Sequence, residues 1–107
     1  MTKLALADAE AFSKGQLTRF KIGGADEPPA PMKVSRFYLD PGDTSPWDQH
    51  EVREVWIIES GRGLLDTGEA RVVVERGDGH YFASNVPHRI TNEGSEPLYI
   101  ISMWWPG

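Results

Sequence analysis

The sequence contains no cysteine, which excludes disulfide bonds, thiolate metal sites and a cysteine nucleophile. Basic residues are also few, with 11 Lys and Arg against 16 Asp and Glu, for a formal net charge of -5 and a pI near 5.1. They are scattered along the chain, so we expect neither nucleic acid nor an anionic membrane surface as a partner. No apolar run reaches membrane-spanning length, and Asp8 and Glu10 interrupt the region where a signal peptide would be apolar. We therefore expect a soluble, cytoplasmic protein.

The composition that remains is typical of one compact domain. The chain has 107 residues, of which 39% are hydrophobic and 25% charged, so we expect a single domain over residues 1–107. The stretch "LADAEAF" favours helix but is short, which predicts a short N-terminal helix or an irregular segment. From Leu17 onward, short runs of Val, Ile, Phe, Tyr and Trp are separated by Gly, Pro, Asp and Asn. This pattern predicts an all-β fold.

The predicted strands are short and closely spaced, which favours a β-barrel or a double-sheet sandwich. They lie at about 17–22, 32–40, 45–50, 54–60, 63–67, 70–75, 79–83, 88–92 and 97–104. Two of them, "RVVVE" and "LYIISMWW", are apolar on both faces. We expect a second sheet or a partner subunit to cover both faces of these strands.

The stretch "PWDQHEVREVW", residues 46–56, places charged side chains beside large apolar ones. Asp48 and His50 are two residues apart, so on a strand they point in the same direction. Glu54 can join them if the chain bends at residues 51–53 and Glu54 opens the next strand. Two carboxylates close together repel each other, and one would be driven toward protonation. A divalent cation would remove that conflict by supplying the positive charge that both groups need.

A second histidine downstream strengthens the case for a metal site. In "GDGHYFASNVPHRITN", a strand, a turn and another strand can bring His88 over the same centre as His50. His80, the third histidine, is interpreted as a packing or surface residue, which is the common role of a lone histidine.

These residues resemble the two motifs of the cupins, and the chain as a whole resembles a small single-domain cupin. The first motif reads G-x5-H-x-H-x3/4-E-x6-G. The residues that match it are Gly42, His50, Glu54 and Gly61, with Asp48 in the place of the first His. The second motif reads G-x5-P-x-G-x2-H-x3-N. The residues that match it are Gly77, His88 and Asn92, with Ala83 and Asn85 in the places of Pro and Gly.

The resemblance implies a cupin-type jelly-roll β-barrel with one divalent metal ion inside. Carried over by position, the ligands are Asp48, His50, Glu54 and His88. Two arrangements stay open: Asp48 is a fourth ligand, or the other three form a two-His, one-carboxylate triad and Asp48 is a free acid or base. Nitrogen and oxygen donors without sulfur suit Fe, Mn, Zn, Ni or Co.

The same resemblance implies a metal-dependent enzyme that acts on a small organic molecule inside the barrel, by isomerase, lyase, cyclase or oxygenase chemistry. We expect Asp48 and Glu54 to be catalytic. The residues expected to contact the substrate are Trp56, Trp47, Arg36 and Tyr38. The alternative is a non-catalytic cupin that binds a sugar or another metabolite, and a weaker one is a structural subunit with a Trp-rich surface. We also expect a homodimer, because small cupins commonly pair and an exposed sheet edge needs covering.

Overall fold

A computed structural model of the chain describes residues 1–12 and 15–107. Within these ranges the secondary structure is all β, and no helix is present that could cross a membrane. The nine strands of the described residues are β1 (Glu10–Ala11), β2 (Gly15–Arg19), β3 (Lys33–Leu39), β4 (Arg53–Ser60), β5 (Arg62–Asp66), β6 (Arg71–Glu75), β7 (Gly79–Phe82), β8 (Arg89–Asn92) and β9 (Leu98–Trp105). The all-β prediction is confirmed.

The strands form two antiparallel sheets. In the described residues, a six-stranded sheet has the order β1-β2-β3-β9-β4-β7 and a three-stranded sheet has the order β6-β5-β8. Buried apolar side chains from both sheets meet in one core: Phe37, Leu39, Trp56, Ile58, Leu65, Val74, Phe82, Ile90, Leu98 and Ile100. Burial of this apolar surface between the two layers is the main stabilising contribution to the fold.

Strand β4 shows how the sequence selects the inner face of the large sheet. Glu54, Trp56 and Ile58 are buried, whereas the alternate positions Val55 and Ile57 face outward and are more exposed. The period of two follows from the pleat of a strand. Glu54 is the polar residue among these three inward-facing side chains, and it lies near the start of the strand.

The N-terminal segment differs from the predicted helix. Leu6 forms an isolated bridge with Phe20, and the amide of Ala7 donates a hydrogen bond of 2.9 Å to the carbonyl of Arg19. The segment therefore lies as irregular chain beside the end of β2, which was the other expectation. A helix of about seven residues is marginal in isolation, so pairing with an available strand edge is preferred.

The predicted strand over residues 45–50 is also not a regular strand. Two isolated bridges, Thr44 to Thr91 and Asp48 to His88, connect this part of the chain to β8 and the residue before it. Pro46 lies between them and has no N–H to donate, so a continuous ladder cannot form there.

Strand β6 is less covered than its apolar sequence predicts. Among the described residues it pairs only with β5, and Val72 and Val73 are 45% and 51% exposed. No second sheet covers them within the described chain. The expected cover by a partner subunit stays a prediction.

Two glycines with the same backbone conformation offer a test of local packing. Gly61 and Gly77 both have a φ of 93°. A Cβ added at Gly61 would lie 2.9 Å from the Cα of Leu98, whereas one added at Gly77 would meet nothing within 4 Å. Positive φ alone costs a non-glycine residue about 1–2 kcal/mol.

We therefore expect Gly61→Ala to lower the free energy of unfolding by about 1–3 kcal/mol more than Gly77→Ala, because it adds an overlap with backbone that cannot move freely. Urea unfolding of both variants measures the difference. Equal losses would show that the region around Leu98 relaxes to accept the extra carbon.

Candidate metal centre

A short backbone bridge places Asp48 directly opposite His88. The amide of Asp48 donates to the carbonyl of His88 at 3.0 Å, and the amide of His88 donates to the carbonyl of Asp48 at 2.9 Å. Directly opposed residues of an antiparallel pair carry their side chains on the same face. The bridge therefore directs the Asp48 carboxylate and the His88 imidazole into one region, although the two residues are far apart in sequence.

The turn before His88 is fastened to the segment that carries His50. Asn85 adopts a φ of 65°, a left-handed conformation that asparagine tolerates better than most residues. Its amide donates to the carbonyl of His50 at 2.6 Å, and Gln49 Nε2 donates to the carbonyl of Asn85 at 2.9 Å. These bonds bring the His50 ring to 5.7 Å from the His88 ring, measured between centroids.

Glu54 lies between the two imidazoles and is 7% exposed. Its Oε1 is 2.9 Å from His88 Nε2 and 3.3 Å from His50 Nε2. Its Oε2 accepts a hydrogen bond of 2.8 Å from Trp56 Nε1 and another from the hydroxyl of Ser102. Both carboxylate oxygens thus have partners, as a buried charge requires.

The surroundings of the three ionisable groups shift their pKa values in different directions. Burial alone would raise the pKa of Glu54, but hydrogen bonds from His88, Ser102 and Trp56 outweigh it and lower that pKa to about 2. Burial would lower the pKa of His88, but its bond to Glu54 outweighs this and raises the pKa above 6.5. Burial raises the pKa of Asp48, against the attraction of His50 and His88.

The hydrogen bonds of His88 require a positive charge at its second ring nitrogen. Nδ1 lies 2.9 Å from the carbonyl oxygen of Val86, which can only accept, so Nδ1 carries a proton. In the neutral ring, the Nε2 lone pair would then face the ionised Glu54 carboxylate at 2.9 Å, acceptor against acceptor. A second proton on His88 or a bound cation removes this conflict.

The donor atoms fit a single metal ion. One ligand atom from each of Asp48, His50 and His88 lies within 4.8 Å of the others. Glu54 Oε1 is 2.9 and 3.3 Å from the two imidazole nitrogens. Ligand atoms about 2.1 Å from one ion lie about 3–4 Å apart, so the Glu54 contacts have that spacing and the group of Asp48, His50 and His88 is close enough to hold an ion. The bond from His88 Nδ1 to a backbone carbonyl is the outer contact that metal-ligating histidines usually make.

The candidate centre opens into a cavity of 460 Å³ inside the large sheet. This volume is within the range of small-molecule sites. The residues that line the cavity are Glu10, Phe12, Leu17, Arg19, Ser35, Phe37, Ser45, Pro46, Asp48, His50, Val52, Glu54, Trp56, Ser102 and Trp104. Apolar and aromatic side chains provide much of the wall, and the polar part consists of the carboxylates, His50, Arg19 and three serines, Ser35, Ser45 and Ser102.

Of the side chains expected to contact substrate, the structure places Trp56 on the cavity wall and the other three elsewhere. Arg36 pairs with Glu59 at 2.7 Å on the outer face of the sheet, and Tyr38 packs beside Tyr99 there. The reason is strand parity: Ser35 and Phe37 point inward on β3, so their neighbours point outward.

Trp47 lies on the surface, where the guanidinium of Arg89 is 4.3 Å from its ring centroid. Its neighbour Asp48 turns toward the candidate centre. His80 is outside the group of donor atoms and lies opposite Trp56 in the pairing of β4 with β7.

The most informative residue that the sequence interpretation missed is Ser102. It is 2% exposed and its hydroxyl donates to Glu54. A single serine inside the apolar run "LYIISMWW" is a signal that could have been noticed, because a buried hydroxyl needs a polar partner. Phe12 and Arg19 also line the cavity. Their position there follows from the pairing of the N-terminal strands with the large sheet, which the sequence did not predict.

Comparison with known proteins agrees with this architecture. The profile of the Cupin_2 family, described as "Cupin domain", matches residues 35–104. An uncharacterized protein of Methanocaldococcus jannaschii is 36% identical over 53 residues, which are 50% of this chain and 42% of that protein. The match therefore spans less than half of the relative's own length.

Solved structures show the same fold. A Cupin 2 conserved barrel domain protein from Salinispora arenicola superposes with a TM-score of 0.81 at 24% identity, covering 94% of this chain and 82% of that one. A predicted oxalate decarboxylase from Thermotoga maritima superposes with a TM-score of 0.74 at 19% identity, covering 87% and 81%. The family profile covers more than half of the chain, and the sheet topology and the motif residues agree with it. The chain belongs to the cupin superfamily, as a member of the Cupin_2 family.

Proposed function

We propose that this cupin is a metal-dependent enzyme that binds one divalent ion through His50, Glu54, His88 and Asp48 and acts on a small organic molecule in the cavity. The observation that supports the proposal most is that one ligand atom from each of Asp48, His50 and His88 lies within 4.8 Å of the others, with Glu54 Oε1 in contact with both imidazoles. The adjoining 460 Å³ cavity provides room for a substrate. The reaction class within the family is left open.

The residues of the chain supply positioning and proton transfer. When bound, a divalent ion supplies a Lewis acid that polarises a carbonyl or hydroxyl oxygen. Glu54 is held by Trp56 and Ser102, so its orientation is preset. In the alternative arrangement, in which Asp48 does not bind the ion, burial raises the pKa of its carboxyl and the group is placed to act as a general acid or base.

The second candidate is a cupin that binds a metabolite without converting it. It is favoured by the closed hydrogen-bond network, because in the described residues every buried side-chain nitrogen and oxygen atom has a partner from the protein itself. Asp48 in place of the first motif histidine also departs from the three-His, one-Glu set that the family resemblance associates with dioxygenases. In this case the protonated His88 and Glu54 would form an ion pair that helps to shape the pocket.

Elemental analysis of protein purified without added metal or chelator tests the first proposal against the second. We expect close to one divalent ion per chain in the native protein and a loss of at least about tenfold in occupancy for His88→Ala, because one of few ligands is removed. The control is His80→Ala, which changes a histidine outside the group of donor atoms. No metal in the native protein, and none taken up on reconstitution, would favour the non-catalytic pocket.

The pH dependence of metal binding gives a second test. Because Glu54 raises the pKa of His88 above 6.5, a proton on Nε2 competes with the ion, and metal affinity should fall as the pH falls through that raised pKa. Calorimetric titration with Zn²⁺ in buffers of different ionisation heat should show proton release on binding. An affinity that is independent of pH across this range would contradict coordination by His88.

The metal-free protein should show the opposite trend in stability. The pair of protonated His88 and ionised Glu54 contributes fully below pH 6.5 and is lost as the pH rises through the raised pKa of His88. The contribution of Glu54 is present above pH 4.5 and is lost as the pH falls toward 2. The Tm of the metal-free protein, measured against pH, should therefore decline as the pH rises from 6.5 through the raised pKa of His88, and His88→Gln should remove that decline.

A further inference from the structure

The cavity has a second charged region at its exposed side. Glu10 of β1 and Arg19 of β2 line the cavity, and their side chains are 58% and 47% exposed, whereas the Glu54 side chain is 9% exposed. Among the described residues that line the cavity, Arg19 is the one whose side chain is permanently cationic. An arginine at the opening and a polar centre at the buried end form a pocket with two different ends.

The sheet register gives the distance between these ends. Arg19 pairs with Ser35, and Ser35 pairs with Ser102, so the three residues form one row across neighbouring strands. With strands about 4.8 Å apart, the backbones of Arg19 and Ser102 are separated by about 10 Å. Ser102 donates to Glu54 at the candidate metal centre. A molecule of about one ring in length would match this separation, with the Arg19 guanidinium turning toward it from Glu10.

The surface between the two ends is apolar and largely aromatic. Phe37 packs edge-to-face against both Phe12 and Trp56, with centroid distances of 5.7 and 5.3 Å. Leu17 and Trp104 also line the cavity. Ser35 and Ser45 are the uncharged polar residues along this surface. Such a wall favours a flat apolar body over a sugar, whose many hydroxyl groups would find too few partners there.

The charges of the cavity favour an anionic ligand end at Arg19. The acidic side chains that line the cavity are Glu10, Asp48 and Glu54, so Arg19 is the place on its wall where an anionic group would be attracted. Arg19 currently pairs with Glu10 at 2.7 Å, but an exposed pair of this kind contributes little to stability. A ligand carboxylate can therefore compete for the planar guanidinium, which binds carboxylates through two parallel hydrogen bonds.

We propose that Arg19 is an anion-binding residue of this cavity and that the ligand class is small carboxylic acids with a flat apolar body. The acid group binds at Arg19, and a polar group at the other end of the molecule is directed at Asp48, His50 and Glu54. The part of this proposal that concerns the polar group near the metal depends on the proposed function. The anion subsite depends on Arg19 alone.

Calorimetric titration of the Zn²⁺-loaded and the chelator-treated protein with 4-hydroxybenzoate and with 4-hydroxybenzamide tests the subsite. The two probes share a phenol and differ at the acid end, where the amide has no charge. We expect the native protein to bind the acid more tightly than the amide. Arg19→Gln should weaken binding of the acid by at least about tenfold, the usual effect of losing a hydrogen bond to a charged group, and leave the amide unchanged.

Arg36→Gln is a matched control. Arg36 is 46% exposed and pairs with Glu59 at 2.7 Å, close to the values for Arg19, but it lies on the outer face of the sheet. It should leave the affinity for both probes unchanged. Glu10→Gln should tighten binding of the acid by severalfold, because it releases Arg19 and removes one negative charge from the opening.

The outcomes separate the subsite from the proposed function. Metal content of Arg19→Gln, measured in parallel, should equal that of the native protein. Dependence of acid binding on Arg19 in a protein that takes up no metal would retain the subsite and reject the metalloenzyme. Equal affinity for acid and amide, no effect of Arg19→Gln, or no binding of either probe would overturn the subsite, whatever the metal content.

Discussion

The contact between the Glu54 carboxylate and the His88 imidazole is the interaction on which the centre of this molecule depends. Glu54 is almost completely buried beside the apolar core. An isolated carboxylate there would cost far more than a hydrogen bond returns, so its four neighbours are a requirement of folding as well as of function. The site therefore needs a positive charge beside the Glu54 carboxylate, either a proton on His88 or a metal ion.

That requirement explains why both sheets contribute to one polar centre. Glu54 and Trp56 come from β4 and Ser102 comes from β9, all in the large sheet. His88 stands immediately before β8 of the small sheet and reaches Glu54 across the interior. Phe82 stacks on the His88 ring at 4.1 Å, and Trp56 meets it edge-on at 4.9 Å. The aromatic packing holds the imidazole in the orientation that its hydrogen bonds need.

The two ends of the cavity are built by different means. The buried end depends on backbone bridges and a satisfied network, which leave little freedom to its side chains. The exposed end depends on β1 and β2, where β1 pairs only with β2 among the described strands and the charged side chains are about half exposed. A rigid centre and an adaptable opening let one scaffold keep its chemistry while the accepted ligand changes with a few residues at the rim.

The all-β class, the cupin family and the residues that gather at the candidate centre were predictable from the amino-acid sequence alone. The motif spacing was sufficient because the turn at Asn85 and the positions of Glu54 and His88 close to the starts of β4 and β8 follow from local chemistry. The same sequence did not show that the N-terminal residues pair with β2 instead of forming a helix, since local propensity is weak there and a long-range pairing outweighs it.

Which arginine faces the cavity depends on the tertiary structure and could not be predicted from the sequence. Arg36 lies on a correctly predicted strand, yet it points outward, and Arg19 lines the cavity instead. Side chains alternate along a strand, so a difference of one residue exchanges the inner and outer faces. Which face points inward depends on the strand register, and this register is set by the pairing of β2 with β3 and of β3 with β9. These segments are far apart in sequence, so their alignment cannot be inferred from local sequence patterns.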